Sequence, residues 1–108
     1  MDPINILNRY FGYHSFRPLQ REIIDATLTG KDYLVLMPTG GGKSLCYQVP
    51  ALMLDGVTIV VSPLISLMHD QVEALVENGI PAAALNSNNN TEEDLLIRRK
   101  CANGEIKL

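Results

Sequence analysis

The stretch that most constrains this chain is Met37-Pro38-Thr39-Gly40-Gly41-Gly42-Lys43-Ser44. Tyr33-Leu34-Val35-Leu36 precedes it, a short apolar run with the pattern of a buried parallel strand. Leu45-Cys46-Tyr47-Gln48-Val49 follows and reads as a helix. A strand feeding a glycine-rich turn that opens a helix is the setting a phosphate-binding loop needs. Without a Cβ, Gly40, Gly41 and Gly42 let the backbone curl close to a phosphate. Their N–H groups, with those of Lys43 and Ser44, form an anion nest at a helix start. Lys43 is placed to reach the β- and γ-phosphates in hydrolysis, and the Ser44 hydroxyl to take a place on Mg²⁺. Met37 stands where the strict G-x-x-x-x-G-K-[ST] pattern has its first glycine. The plain alternative is a glycine turn carrying a solvated lysine.

At 108 residues the chain makes at most one ordinary domain, able to bury about 65% of its unfolded surface. Its composition, 46% hydrophobic and 19% charged, is that of a globular protein. No apolar run approaches the ~18 residues of a membrane span, and no signal peptide opens the chain. Cys46 and Cys101 lack metal-site spacing and fit a reducing cytoplasm as inert packing residues. The net charge of −3 argues against a generally basic nucleic-acid coat. Residues 1–50 hold five basic and four acidic side chains, and residues 51–108 hold four and eight. A groove built locally from backbone amides stays compatible with that balance.

In order, Asp2-Pro3 predicts a helix start, with Ile4, Leu7 and Phe11 on one face and Gly12 as the stop. Pro18 predicts the opening of a second helix that buries Leu19, Ile23, Ala26 and Thr27 and ends at Gly30. Pro50 is expected to interrupt or kink the helix after the loop. Asp55-Gly56 is a turn. Val57 to Val61 reads as a second buried strand, Leu64 to Asn78 as a helix stopped by Gly79, and Ile80 to Leu85 as a third strand. Thr91 is expected to cap a last helix, acidic in its first turn and basic at Arg98, Arg99 and Lys100. Glu105 to Leu108 enters a fourth strand. Alternating strands and helices predict an α/β layer with a parallel sheet, helices on both faces and two short helices in front.

Three blocks together resemble RecQ-type ATP-dependent DNA helicases of the second helicase superfamily. They are Phe11-Gly12-Tyr13 with Phe16-Arg17-Pro18 and Gln20, then Met37 through Leu52, then Val60 through Met68 with Asp70-Gln71-Val72. Met37 is ordinary in that family. The resemblance implies a partial RecA-like P-loop domain over residues 1–108. Residues 1–31 are its helical adenine-reading segment and residues 32–108 its α/β core. It also implies ATP and Mg²⁺ as cofactors. Tyr13, Arg17 and Gln20 join Thr39, Gly40, Gly41, Gly42, Lys43 and Ser44 around the nucleotide. A glutamine amide pairs bidentately with adenine N6 and N7, which gives Gln20 its chemistry. By residue type alone Gln20 and Tyr13 are ordinary surface residues. The third block resembles a strand-to-helix motif on single-stranded or partly duplex DNA, with Ser62, Pro63, Ser66 and Gln71 as contacts. A capped helix without ligand is the alternative there. Asn86-Ser87 is a further candidate contact.

The resemblance implies 3′–5′ unwinding driven by ATP hydrolysis in recombination and repair, in the cytoplasm or on a bacterial nucleoid. The competing readings are a stand-alone ATP-binding sensor and a small-molecule kinase. The family's Asp-Glu-x-His box, second RecA-like domain and arginine finger have no counterpart in residues 1–108, so this stretch alone is expected to bind ATP weakly and not to hydrolyse it.

Overall fold

The computed structural model describes residues 2–37 and 42–108. They form two compact units, Met1–Asp55 and Gly56–Leu108, divided at the Asp55-Gly56 turn.

The first unit opens with α1 (Pro3–Ile6). Asp2 is its cap, as the sequence predicts: the backbone there is extended, and Oδ1 accepts the Ile4 N–H at 3.0 Å. The chain then widens into a π-helical turn, Leu7–Phe11, closed by Gly12 at φ 76°. Over five residues apolar spacing does not separate a wide turn from an ordinary one, so the sequence gives no sign of it. Next, α2 spans Gln20–Leu28, starting two residues after Pro18. The face expected on it is corrected. Leu19 lies outside the helix with φ 73° and is 53% exposed, while Ile23, Ala26 and Thr27 are half-buried. The buried pair is Gln20 and Ile24, one turn apart. With Leu19 in the left-handed region, the helix takes its phase from Gln20.

The third helix, α3 (Leu45–Met53), runs through Pro50 rather than stopping there. Pro50 has no N–H to give Cys46, but its own carbonyl accepts from Leu54 at 2.9 Å. Both α1 and α2 pack on α3. The core is Ile6, Leu7, Ile24 and Val49, with Phe16, Leu28, Leu45 and Leu52 against it.

In the second unit, α4 (Ile65–Glu77) ends at Asn78 and Gly79, close to the predicted bounds. The Gly79 N–H donates to Val76 O and the Ile80 N–H to Leu75 O, burying Ile80 and Leu75. The last helix, α5 (Thr91–Ala102), is capped by Asn90 rather than Thr91, because Asn90 Oδ1 reaches the Glu93 N–H at 2.8 Å. Glu92, Glu93 and Asp94 sit in its first turn and Arg99 and Lys100 in its last, complementing the helix dipole.

The expected parallel sheet is not confirmed: among the described residues none of the four runs makes a regular strand. Instead Lys107 gives its N–H to Pro81 O and takes the Thr58 N–H, both at 2.8 Å, and the Ala83 N–H reaches Leu108 O at 3.1 Å. Residues 105–108 thus bond on one side to the 57–61 run and on the other to the 80–85 run. Two causes limit this to isolated bonds. Pro81 has no N–H to give a ladder, and Ala82, Ala83 and Ala84 have weak β-propensity. Among the described residues of the first unit the 33–36 run is the one segment of its kind. The two runs expected to be buried are largely exposed, with Leu34 at 90% and Val61 at 92%. A parallel strand is buried only where helices cover both faces. No helix among the described residues is long and apolar enough to cross a membrane.

Burial, not residue type, should set the cost of truncation. Ile24→Ala removes fully buried core volume and should destabilise the chain by about 2–5 kcal/mol in urea unfolding. Leu34→Ala, at an exposed position, should change it by less than about 0.5 kcal/mol.

Candidate functional site

In the first unit the candidate residues converge on Gly42. The Gln20 side chain is 1% exposed. Its Oε1 accepts the Arg17 N–H at 2.8 Å, and its backbone N–H returns a bond to Arg17 O at 3.2 Å. This reciprocal pair closes the turn over residues 17–20. The other end of the amide, Nε2, donates to Gly42 O at 3.1 Å. The Cys46 Sγ lies 3.8 Å from the same carbonyl. Gln20 is therefore not the surface residue its type suggests.

The consequence for the loop follows from peptide geometry. No peptide bond among the described residues is cis. In a trans peptide the C=O and the next N–H point opposite ways. Holding the Gly42 carbonyl toward Gln20 turns the Lys43 N–H away from it. Gly42 takes φ 81°, and a Cβ at that position would collide with Gln20 Nε2. Glycine is needed there both for the conformation and for the close approach. Lys43 is exposed, and Ser44 sits at the cap of α3 without capping it through its side chain. The Lys43 and Ser44 carbonyls accept the first α3 N–H groups, from Cys46 and from Tyr47 and Gln48. Tyr13 is 56% exposed and Arg17 is exposed. Thr39, Gly40 and Gly41 lie outside the described residues. His14, given no role by sequence, pairs its Nδ1 with Asn8 Nδ2 at 2.9 Å.

Burial pushes the Cys46 thiol above its ordinary range, with a backbone hydrogen bond partly opposing the shift. A neutral, 8% exposed thiol is a packing group.

In the second unit the candidates Ser62, Pro63, Ser66 and Gln71 lie at and along the start of α4. Ser62 is half-buried, and its Oγ accepts the Leu64 N–H at 3.5 Å. Pro63 and Ser66 are exposed, and Gln71 is half-buried. Ser66 lines a cavity of about 630 Å³ between α4 and the 84–89 loop, which Gln71 does not reach. Sequence reasoning missed Asn88 and Asn89, which line the same cavity. Their signal is the asparagine run 88–90 following Asn86, readable as a turn but not as a wall.

Residues 17–105 match the DEAD/DEAH box helicase family. The chain belongs to that family. Membership implies a RecA-like domain and the use of ATP. Over nearly its whole length the chain is similar to RecQ-type helicases. It is 55% identical over 105 residues to the ATP-dependent DNA helicase RecQ of Pasteurella multocida, covering 97% of this chain and 17% of that protein. The Haemophilus influenzae RecQ is 53% identical with the same coverage. The ATP-dependent DNA helicase Q1 of Rattus norvegicus is 48% identical over 99 residues, 92% of this chain and 16% of that protein. The chain thus spans about a sixth of the length of these relatives.

Two outcomes check this site. Gly42→Ala should displace the Gln20 amide and cost roughly 1–3 kcal/mol of stability, the scale of a buried polar group losing its partner, read by thermal melting. At pH 8, Cys46 should react with a maleimide more slowly than the half-buried Cys101, because burial removes both access and thiolate. Equal rates would mean Cys46 is not enclosed.

Proposed function

We propose that this chain is the nucleotide-binding part of an ATP-dependent 3′–5′ DNA helicase, coupling ATP hydrolysis to unwinding in recombination and repair. The observation that carries the reading is the buried Gln20 amide bonded to the carbonyl of the loop residue before Lys43. It joins the adenine-reading segment, residues 1–31, to the phosphate-binding turn of the 32–108 core. Relatives identical to this chain at about half of the 105 aligned residues are named as ATP-dependent DNA helicases, which supports the same chemistry here.

On this reading Gly40, Gly41, Gly42, Lys43 and Ser44 offer N–H groups to the phosphates, with Thr39 completing the turn. Lys43 adds a point charge at the β- and γ-phosphates and is the catalytic residue of this set. Ser44 suits Mg²⁺: its hydroxyl is a hard oxygen ligand next to Lys43 at the start of α3. When bound, the ion neutralises phosphate charge. Tyr13 presents an exposed ring for the base and Arg17 a cation beside it. Gln20 keeps one amide hydrogen and one lone pair beyond its bonds to Arg17 and Gly42, enough for one adenine edge. In the second unit Ser62, Pro63, Ser66 and Gln71 face single-stranded or partly duplex DNA, held by backbone N–H groups and hydroxyls rather than cations.

The test is nucleotide affinity of the full-length protein by calorimetry. Lys43→Ala should weaken ATP·Mg²⁺ binding roughly tenfold to a hundredfold, the loss of a charge-assisted contact. ATP should outbind GTP, and Gln20→Ala should narrow that gap by about 1–3 kcal/mol. Unchanged ATP affinity in Lys43→Ala would sink the assignment. Phosphorylation of a small acceptor would favour a kinase instead.

A further inference from the structure

The cavity beside α4 has a lining that selects among the parts of a DNA strand. Its apolar wall is Ile65, Val72 and Ala84, and its polar wall is three side-chain amides, Asn86, Asn88 and Asn89. The amides are set by local bonds. Asn86 Oδ1 accepts the Asn88 N–H at 2.9 Å, so Asn86 keeps its NH₂ for a ligand. Asn89 donates its NH₂ to Ala84 O at 2.7 Å and Asp94 Oδ1 at 3.2 Å, so it keeps an acceptor oxygen. Asn88 makes no side-chain bond among the described residues and offers both. His69 adds a ring, with Nε2 3.5 Å from Glu73 Oε2. Among the described residues neither Lys nor Arg lines the space.

A phosphate bound here would lack a strong cation, and Glu73 and Asp94 stand close by. A neutral planar ring with donors and acceptors along its edge fits instead. The volume of about 630 Å³ lies within the range of about 300–1,000 Å³ usual for small-molecule sites. We propose that this cavity receives one unstacked base of a DNA single strand whose backbone passes the start of α4. The ring lies on Ile65, Val72 and Ala84 beside His69, and the asparagine amides meet its edge. Because the amides offer donors and acceptors together, the pocket accepts more than one base.

This inference rests on the single-strand reading of Ser62 to Gln71, so the experiment separates the two. Fluorescence anisotropy would compare a mixed-sequence single-stranded oligonucleotide with an abasic strand of equal length and charge, using the full-length protein. The intact strand should bind about tenfold more tightly, the scale of one stacked base. Asn88→Ala combined with His69→Ala should remove most of that gap while leaving abasic binding unchanged. Both side chains are exposed, so the variant keeps its fold. Equal affinity for the two strands, or a gap that survives the double substitution, overturns the base pocket and leaves the DNA reading standing. If neither strand binds, the DNA reading fails and the pocket falls with it.

Discussion

The geometry of the first unit depends on one buried amide. Gln20 has both ends of its side chain engaged, Oε1 to the Arg17 N–H and Nε2 to the Gly42 carbonyl. A buried amide left without partners costs roughly 1–3 kcal/mol, so the turn at residues 17–20 and the end of the glycine loop are fixed to each other. The helices around it serve that placement. Leu7, Ile24 and Val49 are each fully buried and pack α1 and α2 on α3. Ile24 lies one turn after Gln20, and Gly42 three residues before α3. Core packing therefore brings the amide to the loop with no further element needed. The cost appears at Leu19, the one non-glycine residue with positive φ among those described. That conformation is unfavourable by about 1–2 kcal/mol for an L-residue. It persists because the Arg17–Gln20 pair on one side and the α2 core on the other over-determine it.

Most helices were legible from the chain. Asp2-Pro3, the stops at Gly12 and Gly79, and the charge order along α5 each reflect a local rule that acts within one turn. Features set by contacts distant in sequence were not. Gln20 looks like a solvated helix residue by type, and only a bond spanning 22 residues buries it. Leu19 looks like a core residue, yet it lies outside α2 at φ 73° and is 53% exposed. The adenine-segment resemblance singled out Gln20 where residue chemistry alone did not. The structure shows that the residue fastens the end of the loop.

The sheet is a different case. A short, β-rich apolar run bounded by turns reads as a strand. Such a run carries no information about whether a neighbour stands beside it in register. Between the 80–85 and 105–108 runs the sequence did contain a warning in Pro81 and three alanines, which remove a donor and lower β-propensity. For Val57 to Val61 there was none. Family membership supplies the RecA-like architecture that the described residues only sketch through bonds at Thr58, Pro81, Ala83 and Lys107.

Charge decides what kind of recognition the second unit supports. Residues 56–108 hold seven acids against four basic groups, and the basic groups gather at Arg98, Arg99, Lys100 and Lys107. None of these lies on α4, whose own ionisable groups are His69, Asp70, Glu73 and Glu77. A surface of that sign repels phosphate at long range. Strand binding proposed for this unit therefore has to come from short-range terms: backbone N–H groups near Ser62 and Ser66, neutral amides, and contact between a base and an apolar wall. Such terms release few counterions, so they depend weakly on salt. They also let go readily, since no long-lived ion pair has to break. Contact of that kind is salt-tolerant and base-tolerant, whereas a basic groove would hold the strand through its phosphates and weaken steeply with salt.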